Sequence, residues 1–142
     1  MITTTPFGTA PSGSPVTVYN LVCAGARARV MDYGATILGI EVPDASNDVV
    51  DIVLGFDALD GYFDNPACYG GTIGPSANRT DKGQIKIDGT VYQMACNDGP
   101  DKANNLHTDL EHGLHKRVWN ATVDEITNTV SFTCKLADGE LG

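Results

Sequence analysis

The sequence predicts an all-β fold, an antiparallel β-sandwich, and three observations carry that expectation. Short runs rich in β-branched residues recur along the chain, turn residues break them at close intervals, and only one stretch has helical spacing. In chain order the first runs are Val16–Val22, Ala26–Met31 and Thr36–Val42. Within them, Ala26-Arg-Ala-Arg-Val30 alternates small or apolar with charged side chains, as a strand with one wet face does. Tyr33-Gly34 supplies a tight turn, Pro43–Asp48 is a loop by composition, and Val49–Leu54 reads as a strand interrupted at Asp51. Phe56, Leu59 and Phe63 fall at helical spacing with Asp57 near the start, so Phe56–Phe63 reads as a short helical turn. Asp88-Gly89, between Gln84–Ile87 and Thr90–Ala95, suits the type I′ turn of a hairpin. A second hairpin joins Trp119–Glu125 to Thr129–Leu136 around Thr127-Asn128, and Asn97–Asn105 is a polar loop. With no internal repeat, low-complexity linker or boundary in view, residues 1–142 read as one domain.

Composition narrows the function. Eighteen acidic against nine basic residues give a net charge of −9, and no basic cluster exceeds Lys116-Arg117. That balance argues against a nucleic-acid or anionic-membrane partner. The first basic residue is Arg27 and the amino terminus has no apolar run, which argues against a secretory signal and for a cytoplasmic protein. Cys23, Cys68, Cys96 and Cys134 form no Cys-x-x-Cys pair, and each sits among small or apolar residues. They read as reduced, mostly buried thiols rather than zinc ligands. The sequons at Asn78-Arg-Thr80 and Asn120-Ala-Thr122 are accordingly discounted.

The densest set of hydrogen-bonding groups runs from Gly70-Gly-Thr-Ile-Gly74 through Asn78-Arg79 to Leu106-His107. The glycines lack the Gly-Lys-Ser/Thr ending of a phosphate loop; they allow a strand to pass close to another. An isolated Asn-Arg is by default a turn plus a surface ion pair. Directly after a glycine-rich segment it points to a cleft, and His107, behind an apolar leucine, points inward. Arginine donates, asparagine both donates and accepts, and histidine exchanges protons near neutrality, a set suited to a hydroxyl-rich neutral ligand. His107, Asp109, Glu111, His112 and His115 are all metal-ligand types, but their spacing and Gly113 leave them unaligned, so no metal is expected. His112 and His115 read as solvated loop. A glycosidase's two carboxylates cannot be chosen among eighteen acids.

Tyr33-Gly-Ala-Thr-Ile37, Val42-Pro-Asp44, Asp51-Ile-Val-Leu-Gly-Phe-Asp57, Gly71-Thr-Ile-Gly74, Ala77-Asn-Arg79, Lys82-Gly83, Gly99-Pro100, Leu106-His107 and Trp119 stand in the order seen in aldose 1-epimerases. The chain resembles that family from about Phe7 onward. The resemblance implies a large antiparallel supersandwich, of which residues 1–142 are the amino-terminal part, and a cofactor-free reaction on an aldohexose such as galactose or glucose. A carboxylate takes the anomeric proton, an acid protonates the ring oxygen, the ring opens, and closure gives the other anomer. By position, Asn78 and Arg79 resemble the substrate-contacting pair and His107 the first, auxiliary, active-site histidine.

The family's principal acid and base lie further along, so residues 1–142 alone are expected to be inactive and to self-associate or pair with a missing carboxy-terminal half. Pro75, Thr108-Asp109 and His115 depart from the usual pattern. The loops Asp98–Asn104 and Thr108–Lys116 are expected to help set sugar preference. The alternative is a non-catalytic carbohydrate-binding or regulatory module on the same fold.

Overall fold

The computed structural model describes residues 1–141. Strands β1 (Ile2–Thr9), β2 (Pro15–Cys23), β3 (Ala26–Met31), β4 (Thr36–Pro43) and β5 (Val49–Asp51) precede a one-turn helix, α1 (Gly61–Asp64). Then come β6 (Arg79–Thr80), β7 (Gln84–Ile87), β8 (Thr90–Gln93), β9 (Asn105–Leu106), β10 (Asn120–Asp124) and β11 (Thr129–Thr133). Every strand pairing is antiparallel, so the expected all-β, antiparallel class holds. The chain forms two compact units: Met1–Thr72 with Val118–Cys134, and Ile73–Arg117 with the segment after Cys134.

The first unit is a sheet in the order β1-β2-β3-β4-β5 with the β10–β11 hairpin. Alternation along β2 turns Val16 and Val18 inward, where Met31, Leu38 and Tyr33 meet Leu59 and Tyr62 to form the core. Met31 is fully buried and Val16 nearly so; each such side chain stabilises by about 1.5–3 kcal/mol relative to exposure. Phe132 of β11 stands edge-on to Tyr19 of β2, centroids 5.6 Å apart. The amino-terminal ammonium donates to Asn128 Oδ1 at 3.0 Å.

Several elements depart from expectation, each for a local reason. Ile2–Thr9 is a strand although its threonines show no apolar alternation; Pro6 fits because β1 is an edge strand. β5 ends at Asp51 rather than Leu54 because the Asp51 carboxylate accepts from the backbone of both Ile40 and Val53, at 3.0 Å each. Those bonds replace ladder partners, turn the chain out of the sheet, and with nearby Arg29 hold the Asp51 carboxyl below its usual range.

The helical turn shrinks to Gly61–Asp64, since Asp60 caps Gly61 while Tyr62 Oη bonds the backbone N–H and carbonyl of Phe56 and fixes that residue outside the helix. The glycine-rich segment is not a strand. It runs irregularly beside β4, with Ile37 N–H bonded to Gly70 O at 2.9 Å. At Gly70 φ is +63°, and an added Cβ would strike the Ile37 carbonyl. Cys23 is exposed and the other three cysteines are half-buried, so the thiols are less enclosed than expected.

The second unit holds two short ladders, β6–β9 and β7–β8. The β7–β8 turn has Asp88 at φ +48° and Gly89 at φ +85°, the paired left-handed residues a type I′ turn requires. Arg117 Nη1 donates to Glu140 Oε1 at 2.6 Å and ties the last described residues to this unit.

Candidate functional site

The second unit brings Asn78, Arg79 and His107 together through the shortest of ladders. β6 pairs with β9 through Arg79↔Leu106 and Thr80↔Asn105. One residue beyond, His107 N–H donates to Asn78 O at 3.1 Å and Asn78 N–H donates to His107 Nδ1 at 2.9 Å. Because Nδ1 is an acceptor, the proton of the neutral ring sits on Nε2, and the histidine presents an N–H donor at its outer end. His107 is half-buried, while Asn78 and Arg79 are exposed. Asn78 is left-handed at φ +64°, a conformation asparagine tolerates, and its Oδ1 accepts from the following Arg79 N–H at 2.9 Å.

Two side-chain amides hold the histidine in place. Asn105 is fully buried and donates through Nδ2 to both Ala95 O and Thr108 O at 2.7 Å, while its Oδ1 accepts from Thr108 N–H at 3.1 Å. Asn97 grips Leu106, donating to its carbonyl at 3.0 Å and accepting from its N–H at 2.6 Å. Both His107 and Thr108 are left-handed, at φ +56° and +65°. For a β-branched threonine that costs on the order of 1–2 kcal/mol. Thr108 Oγ1 offsets it by accepting from Ser76 N–H at 2.8 Å and donating to Ser76 O at 3.0 Å.

Arg79 is joined to Asp98, Nε to Oδ2, at 2.7 Å. Sequence spacing did not single out that pairing, because the partners are nineteen residues apart. Also missed was His115. Its sequence context predicts solvated loop, but it is only 5% exposed, and its Nδ1 has no hydrogen-bond partner among the described residues. Burial, first, and then the charge of Lys116 push its pKa down. His112 is exposed, as expected, and pairs with Asp109 at 3.4 Å.

Among the described residues no three His, Cys, Asp or Glu side chains gather to hold a metal ion. No described helix is long and apolar enough to cross a membrane.

The arrangement is a set of polar donors on irregular backbone flanking a short antiparallel ladder. Residues 18–142 match the aldose 1-epimerase family profile. Galactose mutarotase from Bos taurus is 36% identical over 142 residues, covering 99% of this chain and 40% of the relative. The Homo sapiens galactose mutarotase is 37% identical over the same share, and aldose 1-epimerase from Escherichia coli K12 is 32% identical over 143 residues. A crystal structure of an aldose epimerase homologue from C. elegans superposes with a TM-score of 0.71 at 31% identity, covering 83% of this chain and 35% of that one. The galactose 1-epimerase of Lactobacillus acidophilus NCFM, at TM-score 0.69 and 23% identity, shares the fold. The chain belongs to the aldose 1-epimerase family. It spans about two fifths of the length of the curated relatives it matches.

Proposed function

We propose that this chain supplies the sugar-holding residues of an aldose 1-epimerase acting on an aldohexose such as galactose or glucose. The observation that carries the reading is the reciprocal bonding of Asn78 and His107 beside Arg79, which gathers three side chains suited to hydroxyl oxygens. In this reading Arg79 donates to sugar hydroxyls, and Nε2–H of His107 donates toward the ring. The Asn78 amide nitrogen supplies a further donor, its oxygen being bound to Arg79 N–H.

Holding the sugar fixes the C1–O5 bond between the groups that exchange protons. The anomeric hydroxyl proton leaves to a carboxylate, the C1–O5 bond breaks as an acid protonates O5, the aldehyde rotates, and reversal gives the other anomer. Neither Arg79 nor His107 is assigned those two transfers. The principal acid and base belong, by the family resemblance, to sequence beyond the stretch matched here. Residues 1–142 by themselves accordingly bind sugar without turning it over. The reading also takes the protein to be cytoplasmic, and the polypeptide to associate with itself through apolar strand edges.

The test is a galactose titration of the isotope-labelled chain, following the backbone signals of residues 76–79 and 105–108. Arg79→Ala should weaken binding by about tenfold, the value of a charge-assisted hydrogen bond. Signals that stay still at saturating galactose and glucose would end the sugar reading. Polarimetry on α-galactose with the chain alone should match the buffer rate; faster mutarotation would show that the chain carries its own acid and base.

A further inference from the structure

We propose that Asp98 is the positioning residue of the site: it holds the Arg79 guanidinium side-on, so that the terminal amino groups remain available to the sugar. The inference rests on the sugar reading above and adds to it a residue that the resemblance does not assign.

The pair is made through Nε, side-on and not fork to fork. A fork-to-fork contact would engage two guanidinium nitrogens with both carboxylate oxygens. Here Asp98 takes only the inner N–H, Nε to Oδ2 at 2.7 Å, and neither Nη group of Arg79 has a partner among the described residues. One N–H of five is spent on orientation, and four remain.

The two partners also differ in exposure. The Asp98 side chain is 21% exposed and that of Arg79 61%. Asp98 sits where its strap is tied at both backbone groups, its N–H donating to Asn104 O and its carbonyl accepting from Asn104 N–H, both at 3.0 Å. Asn97 N–H bonds the same Asn104 carbonyl at 2.8 Å, and Asn97's side chain grips Leu106, next to His107. Asp98 is therefore fixed to the frame that fixes the histidine. An arginine left to itself would sample many rotamers, and ordering it on binding costs affinity. Tied at Nε, it is ordered beforehand and in register with His107. The carboxylate also offsets the guanidinium charge, which suits a neutral polyhydroxyl ligand.

The experiment uses the whole 142-residue chain and its Asp98→Asn, Asp98→Glu and Arg79→Gln variants. Two signals are read: the Arg79 Nε–H resonance in the sugar-free protein, and the dissociation constant for D-galactose. Asp98→Asn should leave the backbone spectrum folded, shift the Nε–H signal and speed its exchange with water, and weaken galactose binding by about three- to tenfold, the scale of a partly exposed charge pair. Asp98→Glu should restore both signals in part, which a merely structural role for Asp98 would not require.

The proposal is overturned if Asp98→Asn leaves the Nε–H resonance in place. It is equally overturned if galactose affinity is unchanged while Arg79→Gln weakens it. If galactose moves no signal in the parent chain, the sugar reading fails and takes this proposal with it, a result separable from the first two because the unsubstituted protein alone shows it.

Discussion

At the scale of single residues, His115 shows how a side chain acquires a property that its neighbours in sequence do not announce. Leu114-His-Lys-Arg117 looks solvated, yet the imidazole is buried with Nδ1 unpartnered among the described residues, and its backbone bond with Leu110 is the main interaction favouring its charged form. Lys116 and His107 disfavour the charge, and Asp109 favours it. Desolvation wins, so the folded pKa lies below the unfolded value of about 6.5. An unfolded chain then binds more protons than the folded one as pH falls below that value. Stability from this group is complete above about pH 6.5 and is lost progressively toward the depressed folded pKa. Chemical denaturation should show a midpoint that falls between about pH 7 and about pH 5, with His115→Gln flattening part of that slope. Equal slopes in both proteins would place the titration elsewhere.

Individual residues of the site divide into those legible beforehand and those not. Asn78, Arg79 and His107 were expected from residue type, company and family resemblance, and the fold sets them side by side. Asp98 was visible only as part of a loop, because nothing local marks a carboxylate as the partner of an arginine nineteen residues earlier.

At the scale of elements, the β6–β9 ladder is too short to be stable by its own backbone bonds, being two residues on each side. Asn105 does what ladder length does elsewhere, bonding Ala95 and Thr108 from a position with no solvent exposure. Asn105→Ala should cost about 2–4 kcal/mol, since it strands the carbonyl and N–H of buried Thr108 and removes the bond to Ala95 O. Urea unfolding would measure it, and a loss under about 1 kcal/mol would show that the ladder is held by other groups.

Elements built from local preference were the ones read correctly. β3 matches its expected bounds, and Asp88-Gly89 turns the β7–β8 hairpin. β5 and α1 came out shorter because Asp51 and Tyr62 use side-chain atoms on backbone groups that regular structure would have used.

At the scale of the whole molecule, one run of exposed apolar side chains lies along an open sheet edge. β5 has a neighbour on one edge only, and Val49, Ile52 and Leu54, in and just after it, are 69%, 63% and 71% exposed. An open edge beside such side chains favours pairing with another chain. Sedimentation velocity should therefore show reversible, concentration-dependent association, reduced by Ile52→Lys with Leu54→Lys. A single monomeric species at all concentrations would refute that expectation.

By itself the sequence determined the antiparallel all-β class, most strand positions, both hairpins and the family, because these follow from propensity, turn chemistry and an ordered set of short motifs. The tertiary structure alone decided the edge strand β1, the burial of Asn105 and His115, the left-handed threonine beside His107, and the tie between Asp98 and Arg79. Those features depend on contacts between residues distant along the chain, and desolvation and hydrogen-bond geometry act across that distance without leaving a local pattern to read.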